Sequence, residues 1–277
     1  MAAEGGGARR LPARKRFGQH FLKDRRVIER IAERAVPLDS EALLEVGPGR
    51  GALTRKLLGG AGRLVAVEID RGLAERLRGD ASMPGLYVLE GDILHLDLGR
   101  VRQDEGAEKL LIVGNLPYNI SAPLLFRLLE QRRHISRAVV MLQREVAQRL
   151  TAEPCSKAYS TLSVFLGQWA DISTVVQVSN RAFRPVPKVQ STVIEMVFRE
   201  TPRVEIRDEA VFARLVRAAF SQRRKMLRNA LAVLGEGVGE AAARAGIDLE
   251  RRAETLSLAE YGAFSDALAD APAGDGP

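Results

Sequence analysis

The sequence predicts an α/β protein: a doubly wound, mostly parallel β-sheet with an antiparallel last strand, then a small all-helical C-terminal domain. Short apolar runs alternate with segments of helical periodicity over residues 17–200, which is the pattern of successive strand–helix–strand units. The last two apolar runs have no helix between them, so we expect these strands to pair antiparallel. From Asp208 onward the periodicity is helical only.

The individual elements follow from apolar runs and capping residues. The strands are expected at 42–46, 64–69, 86–89, 110–114, 138–142, 172–178 and 192–198. Asp24 can cap the first helix, and Ser121 is expected to cap a later one with Pro123 in its first turn. Ser257 and Glu260 form a capping box for the last helix. The helices are expected at 24–36, 52–58, 73–78, from 121, and at 144–150, 160–167, 209–220, 223–234, 240–245 and 258–269.

The composition favours a nucleic-acid partner. Lys and Arg number 42 against 35 Asp and Glu, a formal net charge of +7, and such a surplus suits a polyanion, with nucleic acid first and an acidic membrane second. No apolar run reaches membrane-spanning length, and the single Cys155 excludes an intrachain disulfide, as expected of a cytoplasmic protein. The three histidines are scattered without metal-ligand spacing, so no metal is expected.

A glycine-rich turn and two carboxylates predict a nucleoside-containing cofactor. Gly47, Gly49 and Gly51 lie between the first strand and the next helix, where glycine lets the backbone approach a ligand closely. Glu68 ends the following strand, where a carboxylate can hold both hydroxyls of a ribose. Asp92 follows the third strand and could accept from an adenine amine, although a turn or helix-capping role is an equally simple interpretation. The turn and Glu68 do not separate a dinucleotide from S-adenosylmethionine.

The tetrapeptide Asn115-Leu116-Pro117-Tyr118 follows the apolar run at 110–113. It is therefore expected at the carboxyl edge of the sheet, where such folds bind ligands. The Asn115 side-chain oxygen and the Leu116 carbonyl can accept the two hydrogens of an adenine amine, which orients its lone pair towards an arriving methyl group. Pro117 removes a competing N–H and stiffens the turn, and Tyr118 can stack on the purine. The plain alternative is an Asn-Pro turn that ends a strand.

Two further stretches are candidate RNA contacts. The loop at 183–191 is stiffened by two prolines and could present Phe183 to an unpaired base, although Phe183 could equally be a core residue in a rigid connector. Clustered cations near a helix start at 221–229 could hold phosphates, as could the basic arm at 1–16; a solvated helix face is the commoner meaning of such a run. The candidate RNA-binding cations are Arg14, Lys15, Arg16, Lys188, Arg223, Arg224, Lys225 and Arg228.

Together these stretches resemble the ribosomal RNA adenine N6,N6-dimethyltransferases, and within that family the bacterial small-subunit type. The resemblance covers roughly residues 14–265, and it rests on an ordered set of motifs. These motifs are Phe17–Leu22, Glu45–Gly49, Glu68–Asp70, Gly91–Asp92, Asn115–Ser121, Phe183–Ser191 and Arg223–Lys225.

The resemblance implies a class I methyltransferase domain at 17–200 and a helical RNA-binding domain at 207–270. The Gly- and Arg-rich composition of 1–16 predicts a flexible arm, and residues 271–277 are expected to form a disordered tail. It implies that Asn115–Tyr118 and Phe183 surround the target base. Family members often carry Asn at the position of His20. The implied contacts of S-adenosylmethionine, the methyl donor, are His20, Leu22, Gly47, Glu68, Asp92 and Asn115.

The activity implied by the resemblance is dimethylation of the N6 amines of two adjacent adenosines in a hairpin loop near the 3′ end of 16S rRNA. The partner would be the small ribosomal subunit or its precursor, and the enzyme would act as a monomer. One alternative is a 23S rRNA adenine methyltransferase of the macrolide-resistance type, against which Leu116 and Lys188 argue. A nicotinamide-dependent dehydrogenase leaves the tetrapeptide unexplained, and a non-catalytic RNA-binding assembly or transcription factor leaves the intact motifs unexplained.

Overall fold

The computed structural model describes residues 19–270. The predicted basic arm with Arg14, Lys15 and Arg16, and the predicted tail at 271–277, lie outside the described residues. Within the described residues the chain divides into two compact units. The first comprises residues 19–144 and 174–195, and the second comprises 145–173 and 196–270. The second unit thus includes residues 145–173, which the sequence pattern predicts in the first domain.

A seven-stranded sheet has the order β4-β3-β2-β5-β6-β9-β7, and all seven of its strands were predicted from the sequence. The pairs from β4 through β6 are parallel. The neighbours β9 and β7 are joined by residues 179–190, which contain no α-helix, as expected of an antiparallel connection. The strands are β1 (Phe21–Leu22), β2 (Glu41–Val46), β3 (Leu64–Glu68), β4 (Leu86–Glu90), β5 (Lys109–Asn115), β6 (Ile135–Gln143), β7 (Ala170–Val178), β8 (Phe183–Arg184) and β9 (Ser191–Phe198).

The helices mostly begin where their capping residues predict. The Asp24 side chain accepts from the backbone N–H groups of Arg26 and Val27, and Ser257 with Glu260 forms the expected capping box. The helices are α1 (Arg25–Arg34), α2 (Ala52–Ala61), α3 (Arg71–Arg78), α4 (Leu98–Asp104), α5 (Ser121–Glu130), α6 (Arg144–Leu150), α7 (Thr161–Trp169), α8 (Glu209–Ser221), α9 (Leu227–Ala230), α10 (Val238–Ala245) and α11 (Leu258–Ala269).

Two predictions about helices were wrong. Ser121 is the first residue of α5 and not its cap, because its hydroxyl donates to the Pro117 carbonyl at 3.1 Å, a contact across the preceding turn. The helix predicted at 223–234 is interrupted, leaving only the short α9 and a 3₁₀ turn at Leu231–Leu234. The N–H groups of Leu227 and Arg228 donate to carbonyls near residue 250, so they do not continue a helix from the preceding turn.

The central strand β5 explains the position of the site. Leu110, Leu111, Ile112 and Val113 are all fully buried, as expected of a parallel strand covered on both faces. The strand ends at Asn115, which is the first partly exposed residue after this run. The first polar side chain after the buried core is therefore delivered to the carboxyl edge of the sheet.

The second unit contains α6 to α11 and has an aromatic core of its own. Phe220 and Tyr261 are stacked with ring centroids 6.1 Å apart, and Phe165 meets Phe212 edge-on at 5.8 Å. Tyr261 is fully buried, and its hydroxyl donates to the Ala253 carbonyl at 2.8 Å. Among the described residues of both units, no helix has the length and apolar character to cross a membrane.

Candidate functional site

A pocket of about 460 Å³ lies in the first unit, at the carboxyl edge of the sheet. Its volume is in the range of small-molecule sites. It brings together all of the predicted cofactor-binding residues and the whole tetrapeptide. These predicted residues in its lining are His20, Leu22, Gly47, Glu68, Asp92, Asn115, Leu116, Pro117 and Tyr118.

The glycine-rich turn lies between β2 and α2 and requires glycine for two reasons. Gly47, Gly49 and Gly51 have φ angles of +65°, +59° and +75°, a left-handed region that side chains rarely adopt. A Cβ atom on Gly49 would also lie 3.1 Å from the ring of Phe21 in β1. The Arg50 guanidinium lies 4.3 Å from the centroid of the same ring. The turn is thus packed tightly against the segment that contains His20 and Leu22.

Glu68 ends β3 with its carboxylate held by backbone donors. One oxygen, Oε2, accepts from Gly49 N at 3.0 Å, and Oε1 accepts from Asp70 N at 2.9 Å. The side chain is 4 % exposed, and burial raises the pKa of this carboxyl above its usual range. Since each carboxylate oxygen can accept more than one hydrogen bond, both can still accept from ligand hydroxyls. The backbone contacts fix the direction in which those acceptors point.

The position of Asp92 is compatible with both interpretations left open by the sequence. Its side chain accepts from Leu94 N at 2.9 Å and caps the short 3₁₀ helix Ile93–His95. It also lines the pocket, directly after β4. The capping contact orients the carboxylate at the sheet edge, so a structural role and a ligand-binding role are compatible in the same residue.

Asn115 is oriented by a contact with the amino-terminal segment. Its Nδ2 donates to the backbone carbonyl of His20 at 2.8 Å. Because a carbonyl can only accept, this bond fixes which end of the amide is the nitrogen and makes Oδ1 the acceptor of the pair. The next residue, Leu116, has a buried side chain, and its N–H donates to the Met141 carbonyl at 3.2 Å. The Pro117 carbonyl accepts from Ser121 Oγ and from Ile120 N, each at 3.1 Å.

The Tyr118 ring is held on one face and at its hydroxyl. The His20 ring stacks on it with centroids 5.5 Å apart and 27° between the planes. The Tyr118 hydroxyl and Ser191 Oγ are hydrogen-bonded at 2.7 Å. Burial raises the pKa of Tyr118, so the phenol stays protonated near neutral pH. Neither contact was predicted, because the partners lie far from the tetrapeptide in sequence.

The expectation that Phe183 presents its ring to a base is wrong for this conformation. Its side chain is fully buried in the core cluster that includes Leu22 and Ile28, and it is not among the described residues that line the pocket. The physical reason is the pairing of β8 with β1, in which Phe183 lies opposite Leu22. The core-residue alternative is therefore the observed one, and Arg184 lines the pocket in its place.

Glu45 is a pocket residue to which the sequence analysis gave no individual role. It is 2 % exposed, its Oε2 has no hydrogen-bond partner among the described residues, and burial raises its pKa to about 8. The Thr54 hydroxyl on α2 is the polar group that partly offsets this burial, since its interaction with the Glu45 carboxyl lowers the pKa. The signal in the sequence that could have identified Glu45 is a charged residue within the apolar run at 42–46. The glycine cradle and the Glu68 carboxylate together fit a nucleoside-containing ligand.

The candidate RNA-binding cations are not equivalent. Lys188, Arg224 and Lys225 are exposed. Arg223 differs, because its guanidinium donates to the carbonyls of Lys157 and Tyr159, and it lies 3.6 Å from the Glu254 carboxylate. Arg228 is exposed and pairs with Glu250 at 3.4 Å. A groove of about 540 Å³ in the second unit is lined by Arg149, Lys157, Arg223, Arg224 and Arg252, with Glu145 and Glu254.

The strand order and the pocket define the class of protein. Numbered by sequence within the large sheet, the strands run 3-2-1-4-5-7-6, and the pocket lies at the carboxyl edge. This is the architecture of a class I methyltransferase. Two solved structures have the same fold: a dimethyladenosine transferase from Plasmodium falciparum (TM-score 0.70, 24% identity, 88% of this chain and 96% of that one) and the 23S rRNA methyltransferase ErmE (TM-score 0.66, 28% identity, 90% and 99%).

Sequence comparison then gives the family. The model of the family described as ribosomal RNA adenine dimethylase matches residues 10–270. The chain is 47% identical to the ribosomal RNA small subunit methyltransferase A of Geobacter sulfurreducens, over 93% of this chain and 96% of that protein. It is 43% identical to the protein of the same name from Xylella fastidiosa, over 92% and 96%. The chain belongs to the ribosomal RNA adenine dimethylase family, as its motifs predict.

Proposed function

We propose that the protein uses S-adenosylmethionine to dimethylate the N6 amines of two adjacent adenosines in a hairpin loop near the 3′ end of 16S rRNA, during small-subunit maturation. The observation that carries the chemistry is the orientation of Asn115, whose Nδ2 is engaged by the His20 carbonyl at 2.8 Å. A hydrogen-bond acceptor is thereby directed at the rim of a nucleoside-sized pocket. The names of the relatives support the small subunit as the target.

The part of the pocket that would bind the methyl donor, here called the donor side, would consist of the glycine turn and the carboxylates of Glu68 and Asp92. Glu68 would hold the ribose hydroxyls and Asp92 would accept from the adenine amine, while Gly47 would permit close approach of the backbone. All three residues line the pocket. His20 and Leu22 close this side from the amino-terminal segment. When bound, S-adenosylmethionine supplies a methyl group on a positively charged sulfur.

The part of the pocket that would bind the adenine that receives the methyl group, here called the acceptor side, would be formed by the tetrapeptide. Asn115 Oδ1 and the Leu116 carbonyl accept the two hydrogens of an adenine N6 amine and stabilise the positive charge that develops on nitrogen. Pro117 donates no hydrogen bond, and its carbonyl is engaged by Ser121 and Ile120. Tyr118 stacks on the purine. The protein accelerates the reaction by holding the amine in line and by electrostatics. The bond between the methyl group and the donor sulfur breaks as the N–C bond forms, and the methylated nitrogen then releases one proton to solvent, so no strong base is needed.

The exposed cations would bind the RNA backbone. Arg224 lines the basic groove of the second unit, Lys225 is the next residue along the chain, and Lys188 lies on the loop after β8. Their interaction with phosphates is sequence-independent and decreases with salt. We assign no direct phosphate contact to Arg223, whose guanidinium already binds two carbonyls within the second unit.

A methyl-transfer assay on the two ribosomal subunits tests this function. Labelled S-adenosylmethionine is supplied with small subunits that lack the modification, with fully modified small subunits as the control, and with unmodified large subunits. Label is expected only in the first sample, at two adjacent adenosines located by mass mapping of 16S rRNA. Label in the large subunit would favour the 23S alternative, whose fold ErmE shares. No transfer to any subunit would favour a non-catalytic RNA-binding protein.

A further inference from the structure

The contacts of Tyr118 involve two residues outside the tetrapeptide that have no assigned role on the acceptor side. His20 stacks on one face of the ring, with centroids 5.5 Å apart, and Ser191 is hydrogen-bonded to the hydroxyl at 2.7 Å. The His20 ring is itself held, because its Nδ1–H donates to the Pro185 carbonyl at 2.9 Å. Ser191 is the first residue of β9 and is 1 % exposed.

His20 divides its contacts between backbone and side chain. Its backbone carbonyl accepts from Asn115, whereas its ring contacts Tyr118 and Pro185. The three residues that His20 contacts in this way are Asn115, Tyr118 and Pro185. The first two belong to the acceptor side, and Pro185 lies on the loop after β8. A substitution of the His20 side chain therefore removes the support of Tyr118 but leaves the carbonyl that orients Asn115.

A stacking ring is effective only if its orientation is fixed before the base arrives. A tyrosine side chain on a turn can rotate about two bonds, and ordering it on binding reduces the affinity. The stack fixes the plane of the ring, and the hydroxyl contact fixes its in-plane direction. Because His20 stacks on one face, a base that stacks on Tyr118 would take the opposite face.

We propose that His20 and Ser191 are positioning residues for the target base: together they hold the Tyr118 ring so that its remaining face receives the adenine. This inference rests on the proposed function and deepens it. It assigns the His20 ring to the acceptor side, whereas the family resemblance assigns the residue only to the methyl donor. The two assignments predict different kinetic effects for the same substitution.

The Ser191–Tyr118 bond is tested by a double-mutant cycle in methyl transfer to undermodified small subunits. Ser191→Ala and Tyr118→Phe each remove one end of the bond, and each is expected to raise KM for the subunit about three- to tenfold without changing donor affinity. The double variant is expected to be no worse than either single one, and Ser191→Thr is expected to restore KM. Ser265→Ala is the control, since Ser265 is also a buried serine, with its hydroxyl bonded to Gly262 at 2.8 Å.

The role of the His20 ring is tested by two substitutions. His20→Ala should raise KM for the subunit by a larger factor than it raises the donor dissociation constant, measured by calorimetry, and His20→Phe should retain the stack and most of the affinity for the subunit. A weaker donor affinity with a normal KM would overturn the proposal, as would a lower KM, which would mean that His20 occupies the place of the base. Additive effects in the Ser191–Tyr118 cycle, or an unaltered KM, would also overturn it. If the unsubstituted protein transfers no methyl group, the proposed function itself fails.

Discussion

The two sides of the pocket hold their functional groups in different ways. On the donor side, the carboxylates of Glu68 and Asp92 accept from backbone N–H groups within two to nineteen residues of themselves. On the acceptor side, Asn115 and Tyr118 are held by His20 and Ser191, from 73 to 98 residues away in sequence. The donor side is therefore a product of successive strand–turn–helix units, whereas the acceptor side exists only once distant segments have assembled.

The largest effect is expected for a substitution of Asn115, which should slow methyl transfer far more than it weakens binding of the methyl donor. Asn115→Ala removes the amide oxygen that accepts from the amine, so the single-turnover rate of methyl transfer should fall about 10²- to 10³-fold. Donor affinity measured by calorimetry should weaken much less, since the donor-side carboxylates are unchanged. The exposed Asn119→Ala is the control and should retain activity. Near-normal turnover in Asn115→Ala would contradict the proposed role.

The opposite pattern is expected for a substitution of Glu68, which should weaken binding of the methyl donor more than binding of the ribosomal subunit. Glu68→Ala removes a charged acceptor and should weaken binding of S-adenosylmethionine about 10- to 100-fold. It should leave KM for the ribosomal subunit close to normal, because the hydrogen bonds of the Glu68 carboxylate run to Gly49 and Asp70 on the donor side. Calorimetric titration and steady-state kinetics on the same preparation measure both quantities. Equal losses in donor and subunit binding would show that the two sides are not independent.

A pH-dependent effect on stability is expected at Glu45. Burial raises its pKa from 4.5 to about 8, with a smaller contribution from the Glu68 carboxylate. A folded-state pKa above the unfolded value means that stability is fully present below pH 4.5 and declines as the pH rises towards 8. Each pH unit in that window costs on the order of 1 kcal/mol.

The measurement is the free energy of unfolding of the natural protein and of Glu45→Gln between pH 5 and pH 9. The glutamine variant carries no titrating group, so its stability relative to the natural protein should increase with pH up to about pH 8 and then level off. A difference that is independent of pH would show that Glu45 is ionised throughout the range.

A smaller effect on RNA binding is expected in the second unit. Arg224→Ala with Lys225→Ala should reduce the slope of log affinity against log salt by about 0.7–0.9 for each phosphate that the variant no longer neutralises. Arg223→Ala should instead lower the melting temperature, because it leaves the Lys157 and Tyr159 carbonyls without their donor. Arg71→Ala with Arg100→Ala, two exposed cations of the first unit, is the matched control for charge. An unchanged slope in the first variant would exclude phosphate binding there.

The sequence predicts what depends on local chemistry. Periodicity and caps place the seven strands, the Asp24 cap and the Ser257–Glu260 capping box, and spacing places Gly47 and Glu68 at one edge of the sheet. Apolar runs are reliable here because a parallel strand is buried on both faces, as Leu110 to Val113 are.

What the sequence does not predict depends on pairing between distant segments. Phe183 is buried because β8 pairs with β1, and neither two-residue strand has a periodicity of its own. The helix expected at 223–234 is interrupted because Leu227 and Arg228 donate to carbonyls near residue 250. The stacking of His20 on Tyr118 also joins segments that are far apart in sequence. The sequence alone therefore does not predict how the residues of the acceptor side are held.

The identity of the methylated nucleoside tests the central claim most directly, namely that the tetrapeptide holds an adenine amine. RNA from reacted small subunits is digested to nucleosides, which are separated and identified by mass spectrometry against standards, for the natural protein and for Asn115→Ala. We expect N6,N6-dimethyladenosine from the natural protein and almost none from the variant, although the variant still binds the donor. A methyl group on a ribose hydroxyl, on a ring nitrogen of adenine or on another base would contradict the claim.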